Sequence, residues 1–225
     1  MFKKQIHKNL GLVLLLVSVF LPFISGAHPN DPMLEKMSRT DVFFVYLQLG
    51  FTHIIPLGFD HILFILSLFL LSPKLKTIIW QATAFTIAHS ITLGFAMYDM
   101  VSAPPHIIEP IIALSIMFVA LENVITDKLK PTRILIVFAF GLIHGLGFAG
   151  VLKDLGLPKR EFFNALISFN VGVELGQIAI ILMAWFLFGK WFNQKPWYRT
   201  RIVYPLSILI AIIALYWTIE RAFFP

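Results

Sequence analysis

The sequence predicts an all-α integral membrane protein: one bundle of about six transmembrane helices, preceded by a signal peptide and a short outer-surface or re-entrant helix. Three observations predict it. Apolar residues make up 58% of the 225-residue chain and charged residues only 13%, about half the charged share of a soluble domain. Apolar runs long enough to cross a bilayer recur along the chain, and Pro73, Pro104, Pro105, Pro131, Pro158 and Pro196 fall in the gaps between them, where helix breakers belong. Lysines and arginines gather in those same short gaps, so the net charge of +6 orients the protein in a membrane and is no nucleic-acid signal. Cysteine is absent, which excludes disulfides, thiolate metal sites and a cysteine nucleophile.

Residues 1–27 read as a secretory signal peptide. Lys3, Lys4 and Lys8 form its positive end, residues 10–20 its apolar run, and Ser25-Gly26-Ala27 a small-residue cleavage site. Cleavage there leaves His28 at the mature N-terminus, where an amine beside an imidazole can chelate a metal. Residues 28–40 are expected to be a periplasmic segment and residues 41–225 the helical membrane domain. Residues 41–52 are apolar but too short to span, since a spanning helix needs about 20 residues. They read as the surface or re-entrant helix. Pro56 suits the first turn of the helix that follows, where its missing N–H costs nothing, and that helix runs to about residue 71 as the first span.

Five more spans are expected at about residues 77–97, 107–125, 133–151, 162–188 and 202–219. With the mature N-terminus outside, the inner loops hold Lys74, Lys76, Lys128, Lys130, Arg133, Lys190, Lys195, Arg199 and Arg201. The outer segments hold only Lys36, Arg39, Lys153, Lys159, Arg160 and Arg221, diluted by acids, so the charge bias favours a periplasmic N-terminus in a bacterial inner membrane.

Ionisable groups beside hydrocarbon are expensive and mark functional sites by default. His53, Asp60 and His61 head the first span. Thr86, His89 and Ser90 share one face of the second, and His144 lies in a glycine-rich stretch of the fourth. Asn170, Glu174 and Gln177 share one face of the fifth, and Glu109 stands near the start of the third. Under the expected topology most of these fall between the outer surface and the midplane. Ser90 and Thr86 also read as ordinary back-bonders to helix carbonyls, Asn170 and Gln177 as interhelical glue, and Glu122-Asn123 as a cap or exit at the inner end. A carboxylate at the depth of Glu174 needs a cation, a proton or a partner, and no lysine or arginine is expected there.

The elements His53-x2-Pro-x-Gly-Phe-Asp-His, Phe85-Thr-x-Ala-His-Ser, Glu122-Asn123, Gly141-Leu-x-His-Gly-x-Gly-Phe-Ala149 and Phe169-Asn-x-Gly-Val-Glu-x-Gly-Gln177 together resemble the HupE/UreJ family. These membrane proteins accompany hydrogenase and urease maturation and are regarded as nickel or cobalt permeases. The resemblance implies metal handling, with Asp60, His61 and the later histidines as ligands. Imidazole with carboxylate and amide oxygens suits Ni²⁺, Co²⁺ or Zn²⁺, while Met97 and Met100 keep a copper reading open. The expected ligands are thus His61, His89, His144, Glu174 and Asp60, with His53, Glu109, Asn170, Gln177 and Ser90 as entry or supporting groups. Three rivals use the same residues: an intramembrane zinc hydrolase with Glu174 or Asp60 as base, a haem protein with His89 and His144 as axial ligands, and a metal sensor or chaperone that does not transport. A homo-oligomer is compatible with the sequence.

Overall fold

The computed structural model describes residues 36–224; the expected signal peptide and His28 lie outside the described residues. Among these residues the fold is helical, without strands. Helix α1, Arg39–Ile54, opens with a capping box in which the Ser38 hydroxyl accepts from the Asp41 amide at 3.2 Å and the Asp41 carboxylate accepts from the Ser38 amide at 3.3 Å. That cap, three residues ahead of the expected start, lengthens the helix at one end. At the other end it runs through His53, so the surface helix and the histidine are one piece. Helix α2, Phe59–Leu71, follows after a break at residues 55–58 and is bent 67° from α1. Pro56 therefore sits in the break and not in the first turn of α2, with a cis Ile55–Pro56 bond. Gly58 is required there, because a Cβ would run into the His53 carbonyl.

The remaining spans agree with the sequence: α3, Leu75–Met97; α4, Pro105–Ile125; α5, Arg133–Leu155; and α6, Phe162–Ala184. A π-helical turn, Trp185–Gly189, prolongs α6 to a continuous helix reaching Phe192, and another, Arg199–Val203, leads into α7, Tyr204–Phe223. Five helices are long and apolar enough to cross a membrane, and the bent α1–α2 pair supplies a sixth, broken span.

Three closely packed helix pairs, α1 with α6, α3 with α5 and α4 with α7, surround the short α2. Helix α2 is buried almost continuously from Phe64 to Leu71, as a helix apolar on all sides must be. Glycines set how closely the first two pairs approach. At Gly50 and Gly172 an added Cβ would strike the Phe169 and Leu47 carbonyls across the α1–α6 seam, and at Gly145 it would strike the His89 carbonyl across α3–α5. Polar side chains stitch α2 into its surroundings: Asn123 donates to the Ser67 carbonyl at 2.8 Å and to the Ser207 hydroxyl at 3.2 Å. Asn123 is thus interhelical glue, while Arg199 covers the end of α4 by donating to the Asn123 and Thr126 carbonyls.

At the same end Arg133 is 1% exposed, and its Nε lies 3.4 Å from a Glu122 carboxylate oxygen. Removing one partner of a buried ion pair leaves the other charge uncompensated. Glu122→Ala is therefore expected to lower stability by about 3 kcal/mol, the low end for such pairs because Glu122 keeps some solvent contact. Thermal unfolding of the detergent-solubilised protein measures it, and a melting temperature equal to wild type would refute the pairing.

Candidate metal centre

The 67° bend does the first part of the assembly. His53 ends one arm and His61 begins the other, so closing the arms around residues 55–58 sets the two rings edge to face with centroids 4.7 Å apart. The α3–α5 pair then brings in His89 and His144. His61 is the hub, 6.0 Å from His89 and 5.3 Å from His144 between ring centroids. One nitrogen from each of His53, His61 and His89 falls within 4.8 Å of the others. A metal bound about 2.1 Å from each nitrogen holds them no more than about 4.2 Å apart, so a small side-chain movement closes the set.

The tautomers can be read from the hydrogen bonds. The Asn170 amide donates Nδ2–H to the Leu166 carbonyl at 2.8 Å, which turns its Oδ1 toward His89 Nδ1, 3.3 Å away. An amide oxygen only accepts, so His89 carries its proton on Nδ1. His144 Nδ1 likewise faces the Phe140 carbonyl at 2.8 Å and must be the protonated nitrogen. In both rings this leaves Nε2 with a free lone pair. The Nε2 atoms of His53, His61, His89 and His144 are all buried without a hydrogen-bond partner. Four orphaned buried ring nitrogens, two of them fixed as acceptors, would be costly in a finished structure and are what a cation needs.

Phenylalanine rings pack against the group. Phe148, one turn beyond His144, lies 3.8 Å from the His53 ring centroid and stacks on Phe169 at 5.1 Å. Phe85, one turn before His89, approaches His144 at 4.9 Å and His61 at 5.8 Å, and Phe64 lies 5.0 Å from Phe85 and 5.3 Å from His144.

The other expected site residues lie elsewhere. Asp60 is held by an arginine: both of its oxygens accept from one Arg221 nitrogen at 3.1 Å, because the end of α7 passes the start of α2. Glu174 accepts from the Thr83 and Thr86 hydroxyls at 2.6 and 2.5 Å and is not in the three-histidine set. Gln177 reaches Thr86 at 3.1 Å, Ser90 back-bonds to the Thr86 carbonyl at 2.6 Å, and Glu109 is exposed on α4. Met100 is 70% exposed in the loop after α3. Sequence reasoning missed Thr83, although it stands three residues before Thr86 on the same helical face, and it missed the flanking phenylalanines, which nothing but packing distinguishes from other core aromatics.

Residues 30–221, most of the chain, match the family model described as HupE / UreJ protein. The chain belongs to the HupE/UreJ family. Comparison with curated proteins and with solved structures gave no match. Membership in HupE/UreJ fits a multi-pass membrane protein with a nickel or cobalt permease role, and the histidine group supplies donors suited to such ions.

Proposed function

We propose that this HupE/UreJ protein is a permease for a divalent transition metal, nickel or cobalt, which it receives from the periplasmic side into the imidazole group of His53, His61 and His89. His144 stands beside His61 as the next ligand along the path, and Asn170 holds His89 in its ligating tautomer. The observation that carries this reading is the set of four neighbouring Nε2 atoms, buried and unpartnered. An all-imidazole set is borderline in softness, selects Ni²⁺, Co²⁺ or Zn²⁺ over Mg²⁺ and Ca²⁺, and lacks the thiolate or thioether donors of a Cu(I) site. Conduction needs binding loose enough for release, and a ligand set that must draw together around the ion meets that condition. Asp60 and Glu174 have other partners and are outside the ligand set we propose.

The rival readings find less support. A zinc hydrolase needs a free base beside the metal-bound water, whereas Asp60 is held by Arg221 and Glu174 by two threonines. A porphyrin between His89 and His144 would have to displace His61, which lies beside both rings. The test is ⁶³Ni²⁺ uptake by proteoliposomes containing the full-length protein, beside a His53→Ala/His61→Ala/His89→Ala variant. Saturable uptake lost in the variant is expected. Stoichiometric binding without uptake would convert the reading to a sensor or chaperone, and absence of both would end it.

A further inference from the structure

The start of α2 carries an ion pair that the imidazole group does not use, although its acid is the chain neighbour of the group's central histidine. A carboxylate with two or three histidines is a common transition-metal set, so Asp60, directly before His61, is chemically suited to join the rings. Arg221 holds it instead. Both Asp60 oxygens accept from Arg221 Nη2 at 3.1 Å, and among the described residues the carboxylate has no other hydrogen-bond or ion-pair partner. The guanidinium is itself fixed from α7, since its carbon lies 5.2 Å from the centroid of the Trp217 ring, one turn earlier on that helix. About a quarter of each side chain is exposed, so the pair stands at the edge of the buried group. Both charges act on the His144 ring, which is a neighbour of His61.

We propose that Arg221 determines which ions the centre accepts: by holding Asp60 it keeps the ligand set all-imidazole and so turns away hard dications. The inference rests on the metal reading above and adds to it a residue that touches no ion.

The first reason is donor type. Imidazole nitrogens suit Ni²⁺, Co²⁺ and Zn²⁺, whereas carboxylate oxygens also suit Mg²⁺, Ca²⁺ and Mn²⁺. A free carboxylate beside His61 would give the hard ions a ligand that neutral rings deny them. The second reason is charge. Asp60 and Arg221 cancel, so an ion among neutral rings is held by its ligand bonds and not by a fixed anion. A fixed anion in a low-dielectric interior attracts every dication strongly and alike. Specificity is a difference of affinities, so cancelling that shared attraction leaves the donor atoms to discriminate. It also keeps the ion releasable, as conduction requires. Arginine suits this task, because its guanidinium stays charged, is weakly hydrated and stacks on an indole.

The full-length protein in detergent, with Ni²⁺, Mn²⁺ and Co²⁺ as probes, tests the proposal. The wild type is expected to bind Ni²⁺ and to give it up to Mn²⁺ only at large excess. Arg221→Gln frees Asp60 and should raise Mn²⁺ affinity about 10–100-fold, the range over which groups around the ligands tune metal binding. The absorption bands of bound Co²⁺ should shift in the same variant, as an oxygen donor joins the nitrogens. Asp60→Asn/Arg221→Gln removes both charges, and should return the Mn²⁺ affinity and the Co²⁺ spectrum to those of the wild type. A weakened fold does not produce a gain in Mn²⁺ affinity, so this pair of variants separates selection from mere support. Wild-type Mn²⁺ affinity in Arg221→Gln would overturn the proposal. So would a gain that persists in the double variant, or loss of Ni²⁺ binding in Arg221→Gln, which would make the ion pair a prop of the fold. A wild type that binds neither Ni²⁺ nor Co²⁺ would overturn the permease reading as well, whereas a metal-binding wild type whose discrimination ignores Arg221 overturns this inference alone.

Discussion

His61→Ala is expected to lower Ni²⁺ affinity more than any other single-histidine replacement, by at least about a hundredfold, the upper end of what loss of a ligand's outer partner costs. The reason is position. Among the four histidines, His61 neighbours His53, His89 and His144, whereas His53 neighbours His61 and His89, and His144 neighbours His61 alone. Every three-ligand set drawn from neighbouring rings includes it. His144→Ala should cost less, because His53, His61 and His89 remain. Asn170→Leu touches no ligand, yet it frees His89 Nδ1 from the oxygen that fixes its tautomer and should cost about 10–100-fold. Equilibrium dialysis with elemental analysis gives this ranking directly. Equal effects from all three replacements, or full binding by His61→Ala, would mean that the rings are interhelical packing and not a site.

The spans and their order were legible because hydropathy, proline placement and loop charge are local properties. The break at Pro56 and Gly58 was legible as a break, but not as a hinge that faces His53 toward His61, since bend angles depend on what both arms pack against. For that reason His53 read as a supporting group although it is one of the three nitrogens that converge. Charge partners were the least legible feature. Arg221 and Asp60 are 161 residues apart, and nothing local to either marks the other. Glu174 carried a true signal, an ionisable group inside an apolar helix, but its depth alone suggested the metal site. Its hydroxyl partners, one of them the overlooked Thr83, put it a turn away.

Gly145→Leu is expected to abolish metal binding and to lower the unfolding temperature, although it changes no ligand. Helices α3 and α5 cross so closely at this glycine that a Cβ would run into the His89 carbonyl and the Thr92 hydroxyl. Even alanine forces the helices apart, and leucine adds further atoms to the same clash. The displaced carbonyl belongs to a ligand residue, and the separation also breaks the Thr92 hydroxyl's bond to the Leu142 carbonyl at 2.7 Å, which ties the pair together. His89 and His144 then move apart, and with them the faces they present to His61. Gly150 is the control on the same helix. Nothing lies within 4 Å of the Cβ it lacks, so Gly150→Ala should keep full Ni²⁺ affinity and gain up to about 1 kcal/mol from helix propensity. If Gly145→Leu bound Ni²⁺ as the wild type does, the imidazoles would be able to hold the ion without the α3–α5 crossing, and the dependence of the site on helix packing would be wrong. If it loses the metal while Gly150→Ala keeps it, the small residues of the α5 glycine stretch set the distance at which imidazoles from separate helices share one ion.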